Sequence, residues 1–319
     1  MTRRALAALA LCLCAASALA NKWPERPIKI VVPYPPGGLT DVVTRTLGDE
    51  LGAVLGTQVV VENKPGAGGQ VGLQGVLAAP RDGYTVALVV PATMITLPLT
   101  NPAYKIRPLQ DFEPITAAVQ TSLILAVNKD LGVRTLAEFT AYARRNTGKL
   151  NYGTPGAGTS FHFNNVLMAN KMGFQGTHVP YHGEARIFLD LISGQIQYAL
   201  LSTTMRAQVM DGGKVVALAV SGNRREESMP QVPTFKEQGV DFVSDGWVGY
   251  AVASGTPPSV IARLGEAFTK ALRTPSVAQR LDKLGLDVWA STPAQFRSAI
   301  QEGDERYGAL VRSGAIKID

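Results

Sequence analysis

The sequence predicts an α/β protein of two lobes, and three observations carry that prediction. Apolar runs of strand length alternate with helical patterns, which argues for mostly parallel sheets covered by helices. Three strand-to-helix junctions are glycine loops, at Pro33 to Gly38, Pro65 to Gly69 and Gly153 to Thr159. The length, 319 residues, suits two lobes of ordinary domain size. In such sheets ligands sit at the carboxyl ends of strands, where these loops lie.

The elements follow in order. Ile28, Ile30, Val31 and Val32 form an apolar run that stops at the Pro/Gly cluster. Thr40 and Asp41 come next and are expected to cap a helix over Val42 to Leu55. That helix carries Val43, Leu47, Leu51 and Leu55 on one face, and Gly56 ends it. Val59 to Glu62 reads as a short strand. Pro65 to Gly69 precedes a helical run, Val71 to Ala79; without GxxxxGKS/T or GxGxxG it reads as a tight turn that serves packing. Arg81-Asp82-Gly83 is a turn before the strand Tyr84 to Val90. Leu123 to Val127 is a strand, Leu136 to Arg145 an amphipathic helix, and Leu150 to Tyr152 a strand that enters the third glycine loop.

Strand, glycine loop and helix start together make an anion site. Backbone N–H groups converge there, and the helix dipole adds partial positive charge. The loop Pro33 to Gly38 holds no Lys, Arg or His, so amides, hydroxyls and water would hold the anion, which favours a small, releasable carboxylate. Gly37 and Gly38 allow close backbone approach. Asp41 reads either as a pure cap or as a contact through water. Thr154, Gly156, Gly158, Thr159 and Ser160 offer a second such loop, with three hydroxyls, for a second carboxylate. Ala92 and Thr93 follow a strand and are expected at the cleft.

Residues 1–20 read as a secretory signal peptide: Arg3 and Arg4, an apolar core from Ala5 to Ala16, and a small-x-small site at Ala18-Leu19-Ala20. The core is too short to span a bilayer. Cleavage near Ala20 predicts a periplasmic protein and removes both cysteines, Cys12 and Cys14, so disulfides, thiol nucleophiles and thiolate metal sites are not expected. It also lowers the formal charge from +6 by the two arginines to +4, spread along the chain, which disfavours nucleic acid as a partner. His178 and His182 are four apart but Pro180 lies between them, and the sequence has no HExxH or GxSxG. No metal, cofactor or catalytic residue is expected.

The chain resembles the substrate-binding proteins of the tripartite tricarboxylate transporter family, the Bug-type receptors. The residues that carry this are Trp23-Pro24-Glu25-Arg26-Pro27-Ile28, Val32-Pro33-Tyr34-Pro35-Pro36-Gly37-Gly38 with Thr40-Asp41, and Val59 through Gly69. Asp82-Gly83-Tyr84-Thr85, Gly148 to Gly153, His178-Val179-Pro180-Tyr181 with Gly183, Leu218-Ala219-Val220, Pro233-Thr234, and Trp247 with Gly249 complete the pattern. The resemblance implies a type II periplasmic binding protein: two α/β lobes, two crossover strands, and a ligand cleft between the lobes. It implies a monomer that delivers a carboxylate, a di- or tricarboxylate or an aromatic acid, to membrane transporter subunits. Leu123 to Val127 and Trp247 to Ala253 are the candidate crossovers, giving lobe one as residues 21–122 plus 248–319 and lobe two as 123–247. Tyr34, Tyr181, Ser202 and Thr203 join the loop residues as expected ligand contacts.

Departures from the family pattern bear on the ligand. Glu184-Ala185-Arg186 stands where small residues and proline are usual, and Gln197 and Leu201 stand where aspartates are frequent. A leucine at 201 cannot pair with an amine or a hydroxyl, which leans toward an acid with an apolar body. Arg186 is either a clamp at the cleft mouth or a solvated helix-face residue. Three function classes stay open: a transporter receptor, a sensor that presents its carboxylate to a signalling partner, and a cleft hydrolase. No activated nucleophile or cofactor motif supports the last.

Overall fold

The computed structural model describes residues 23–316 except Gly212 and Glu227. The expected signal peptide and both cysteines lie outside the described residues. Strand β1 (Ile28–Val32) buries four of its five side chains, while Lys29 turns outward and pairs with Glu62 at 3.0 Å. It runs parallel between β2 (Val59–Asn63) and β3 (Thr85–Val89). Between them, helix α1 (Leu39–Leu55) lays Val43, Leu47, Leu51 and Leu55 on the sheet, and Gly56 closes it in the left-handed conformation. Helix α2 (Gln70–Leu77) covers the other face. The loop before it packs tightly: a Cβ on Gly69 would stand 2.9 Å from Thr93 and 3.3 Å from Pro33.

Helix α1 starts three residues earlier than its apolar periodicity suggests. Its N-cap is Gly38, with no side-chain cap, so Thr40 and Asp41 fall inside the first turn and do not cap it. Asp41 instead reaches back to accept the Gly37 N–H at 2.9 Å.

The central element is β4 (Phe112–Asn128), seventeen residues long, of which the sequence reading saw only the last third. The half up to Ser122 pairs with β9 (Asp245–Ala253), which itself pairs with β3. From Leu123 onward β4 pairs instead with β7 (Tyr198–Ser202) and β8 (Val215–Val220). Strand β5 (Leu150–Thr154) runs parallel between β7 and β6 (Gly176–Pro180). The sequence reading expects a separate sheet in each lobe. The strand order instead runs unbroken, β2-β1-β3-β9-β4-β7-β5-β6, because β4 serves both.

The sheets are mixed rather than mostly parallel as the sequence suggests: β1 pairs in parallel with β2 and β3, and β5 with β6 and β7, while β4 and β9 run antiparallel to every strand they pair with. Both faces of each half are nonetheless buried. Ile28, Ile30 and Val32 face one cluster, with α1, α7 (Pro258–Leu272) and α8 (Pro275–Lys283); Val31 faces another, with α2 and α9 (Pro293–Arg312). In the second half Leu123, Leu125 and Val127 face α3 (Leu136–Arg145) and α4 (Ser160–Met172). Ile124 and Ala126 face α5 (Glu184–Ile192) and α6 (Arg206–Asp211). Short β10 (Asp287–Val288) pairs with the first half of β4.

The chain crosses between halves a second time through the stretch between Phe242, packed in the second half, and Trp247, packed in the first. Ser221, fully buried, ties the two crossings together. Its Oγ accepts the Leu123 N–H at 2.9 Å and donates to the Ser244 carbonyl. Its own N–H donates to the Leu123 carbonyl at 2.8 Å, and its carbonyl accepts the Ser244 N–H at 3.0 Å. Ser221→Ala is therefore expected to lower stability by about 1–3 kcal/mol, the cost of stranding a buried amide and carbonyl. Urea unfolding of the variant against the parent measures it, and an unmoved midpoint would refute the role given to this hydroxyl.

Candidate functional site

A cleft of about 640 Å³ lies between the two lobes. From the first lobe it is lined by Leu39, Thr40 and Val42 at the start of α1, by Val90 and Pro91 after β3, by Trp247 and Val248 of β9, and by Tyr307 of α9. From the second lobe come Ser160, Phe161 and Asn164 of α4, Glu184 of α5, and Ser202, Thr204 and Arg206 beyond β7. Thr121, Leu123 and Gly246 form its floor at the crossings, and Lys283 and Leu284 follow from the end of α8.

Of the expected contacts, Thr40, Ser160 and Ser202 line this cleft. Tyr34, Gly37 and Gly38 line a pocket of about 560 Å³ that shares Leu39, Thr40 and Val90 with it. The Tyr34 phenol is pushed up to about 12 by burial, so it is a neutral donor. Asp41 is buried and occupied: its carboxylate takes the Gly37 N–H, the Arg45 guanidinium at 2.9 Å and Asn63 at 3.0 Å. Burial pushes its pKa up, but the hydrogen bonds from Arg45, Gly37 and Asn63 outweigh that and hold it below the ordinary value. The charge that would repel an anion is thus neutralised within the first lobe.

The remaining expected residues shape the loops without lining the cleft. Thr93 is fully buried in a π-helical turn that also contains Ala92, and its hydroxyl is bound to the Val90 N–H and carbonyl. Thr154 is fully buried; its Oγ donates to the Gly156 carbonyl at 2.9 Å and meets His178 Nε2 at 2.6 Å. Thr159 caps α4 and donates to the Gly156 carbonyl, while the Gly158 N–H donates to His162 Nδ1 at 3.2 Å. Tyr181 donates to Asp190 at 3.0 Å, and Thr203 donates to the Gly285 carbonyl at 2.8 Å. Hydroxyls that look like ligand donors in sequence are spent on holding the loop.

The sequence reading missed most of the far wall. Leu201 is fully buried under α5, as its apolar character demands, but the cleft still has an acid. Glu184 supplies it from the first turn of α5. Arg186 pairs with Asp190 at 3.2 Å along its own helix and is not among the cleft-lining residues. Two other cations line the cleft. Arg206 donates to the carbonyls of Asp282 at 3.3 Å and Lys283 at 3.1 Å, and the Lys283 ammonium has no partner among the described residues. These residues carry no local motif, so only the fold brings them to one place.

Two sets of contacts join the lobes on either side of the cleft. On one side Thr203 and Arg206 grip the end of α8. On the other, Tyr307 donates to Asn164 Oδ1 at 3.1 Å and packs on Phe163 with ring centroids 4.9 Å apart.

Behind the third loop, His162 and His178 stack with centroids 3.9 Å apart. Burial, and then the neighbouring His178, push His162 down to about 4, and burial lowers His178 as well. Both are therefore neutral in the folded protein at neutral pH. His162 takes up its proton near pH 6.5 in the unfolded chain and only near 4 in the folded one, so stability must fall as pH falls across that window. His162→Asn keeps an acceptor for the Gly158 amide without a titrating ring. Thermal unfolding from pH 7 to 4 should show a smaller loss of stability in this variant than in the parent, and equal losses would rule out the imidazole as the cause.

Residues 43–316 match the family described as tripartite tricarboxylate transporter family receptor. A protein encoded in the gbd 5′ region of Cupriavidus necator is 35% identical over 309 residues, covering 96% of this chain and 93% of that protein. A TctC solute-binding protein from Polaromonas superposes with a TM-score of 0.83 at 30% identity, covering 92% of this chain and 100% of that one. MatC from Rhodopseudomonas palustris, solved with bound malate, superposes at 0.72 and 29% identity over 91% of this chain and 100% of its own. Another R. palustris protein, solved with adipate, does so at 0.76 and 26% over 92% and 99%. No helix among the described residues is long and apolar enough to cross a membrane. The fold is that of the two-lobed periplasmic binding proteins, and the family implies a periplasmic location. By sequence and by fold, this chain belongs to the tripartite tricarboxylate transporter receptor family.

Proposed function

We propose that this protein is an extracytoplasmic receptor that captures a small carboxylate in the cleft and delivers it to a membrane transporter of the tripartite tricarboxylate type. One observation carries the reading. The N-terminal ends of two helices from opposite lobes, α1 at Thr40 and α4 at Ser160, line one cavity. Each end has backbone N–H groups that its own helix cannot use, and each favours negative charge. A ligand that meets both ends gains more from the closed arrangement than from the open one. Relatives solved with malate and with adipate support the carboxylate class.

The lining favours an acid with an apolar body. Leu39, Val42, Phe161, Trp247 and Leu284 supply apolar surface between the polar ends. In this reading Thr40, Ser160 and Ser202 meet the ligand, with Gly37, Gly38 and Tyr34 at the entrance. Thr93, Thr154, Thr159 and Thr203 act as the frame. Hinging occurs at the two crossings, between a lobe of residues 21–122 plus 247–319 and a lobe of residues 123–242, with Trp247 taken into the first lobe on its packing against Phe296 rather than into lobe two as the sequence suggests. Residues 1–20 are a signal peptide cleaved near Ala20.

A carboxylate ligand at about one hundred times its dissociation constant should add about 2.7 kcal/mol to the stability of the folded state. A thermal-shift panel of mono-, di- and tricarboxylates, with sugars and amines as controls, reads this as a rise in Tm. Stabilisation by sugars or amines alone would overturn the carboxylate reading. For an acid found this way, Ser160→Ala should weaken binding by about 1–3 kcal/mol in calorimetric titration, the usual worth of a hydrogen bond to a charged oxygen. Unchanged affinity would remove Ser160 from the site.

A further inference from the structure

We propose that Glu184, with Ser202 and Thr204, forms a subsite that reads a hydrogen-bond donor on the ligand, a hydroxyl or an ammonium, so that the captured acid carries such a group besides its carboxylate. The proposal rests on the carboxylate reading above and goes beyond it in naming the second functional group.

Glu184 accepts the Ser202 N–H at 2.6 Å with one carboxylate oxygen and the Ser202 hydroxyl at 2.7 Å with the other. The Ser202 hydroxyl has one proton, and Glu184 takes it. Thr204, 2.5 Å from the Ser202 oxygen, must then be the donor in that pair. The hydroxyl protons of Ser202 and Thr204 both run toward Glu184, and neither is left over for an anion. An ionised carboxylate has about four acceptor positions, and Ser202 fills two. What the wall still offers is acceptor capacity.

Three helix starts meet at this cleft, and they differ in charge. At α1 the acid in the first turn, Asp41, is buried and neutralised by Arg45. At α4 the first turn has no acid at all. At α5 the first residue is Glu184, and it lines the cleft. Its own charge offsets the positive end of the α5 dipole, so this helix start is unsuited to an anion. Two ends of the cleft therefore favour a carboxylate, and the third repels one and favours a donor. Burial raises the Glu184 pKa while the Ser202 bonds lower it, so a ligand donor also relieves a cost that the folded protein otherwise carries. The sequence argument against amine-bearing ligands rested on Leu201 and falls away, because the acid comes from the neighbouring helix.

Matched acids on one skeleton test this. Succinate, malate and aspartate differ by a hydrogen, a hydroxyl and an ammonium at one carbon; phenylacetate, mandelate and phenylglycine repeat the series on an aromatic body. Calorimetric titration should show the hydroxyl or the ammonium member binding about tenfold or more tighter than the plain acid in at least one series. Glu184→Ala should bring that ratio to near one. Glu184→Gln keeps an acceptor but no charge, so it should preserve a hydroxyl preference and abolish an ammonium preference, which tells the two donors apart. Thermal unfolding of both variants checks that they fold. Plain acids that bind as tightly as their donor-bearing partners, or a ratio that survives Glu184→Ala in a folded variant, would overturn the subsite while leaving the carboxylate reading intact. If neither these six acids nor the wider carboxylate panel stabilises the parent protein, the carboxylate reading fails and the subsite falls with it.

Discussion

The fold depends on one strand shared by two sheets. β4 changes partners between Ser122 and Leu123, and everything on either side of that step belongs to a different lobe. A shared strand fixes the lobes to each other at one line, the line about which the proposed hinge would turn. The return crossing must pass beside that line, or the two connections would act as separate hinges. Ser221 enforces this with four hydrogen bonds to Leu123 and Ser244. The cleft floor, formed by Thr121, Leu123 and Gly246, is the same line seen from the ligand side. Gly246 fits there because a Cβ would collide with the Thr121 hydroxyl at 2.3 Å.

From this line the lobes present unlike walls. The first lobe gives an uncapped helix end whose nearby acid is already paired, together with apolar surface from Val90, Trp247 and Val248. The second gives a helix start carrying hydroxyls, and beside it an acid braced by Ser202. The polar groups are fixed by other polar groups. His162 and His178 hold the third loop from behind through Gly158 and Thr154, so the backbone at Ser160 is set before any ligand arrives. A loop set in advance loses little conformational freedom on binding.

Local pattern made the elements legible and left the wall of the cleft obscure. The apolar run Ile28 to Val32 and the Val43, Leu47, Leu51, Leu55 stripe predict a strand and a helix because a strand buried on both faces selects a run and a helix buried on one face selects a stripe. The helix Leu136 to Arg145 is read to the residue because Thr135 and Glu138 form a capping box in front of it. The start of α1 is misplaced because Thr40 and Asp41 look like caps, while the chain uses Gly38 and spends Asp41 on Gly37 and Arg45. Thr93, Thr154 and Thr203 look like ligand donors because a hydroxyl at or just past the end of a strand has the same composition whether it faces outward or braces the loop. Glu184, Arg206, Lys283 and Tyr307 are distant in sequence and share no motif, so nothing short of the fold brings them together.

The contacts that flank the cleft have a consequence for how such a receptor changes over time. Thr203 and Arg206 on the end of α8, and Tyr307 on Asn164 and Phe163, join the lobes through groups of the protein alone. In the proposed hinge reading their free energy enters the closed state equally for every ligand, so it cancels when two ligands are compared. Substitutions at these latches can therefore raise or lower the affinity for all ligands together and leave the order of preference untouched. Substitutions along the inner wall do the reverse. Strength of capture and choice of cargo are thus written in separate residues, and each can drift without disturbing the other.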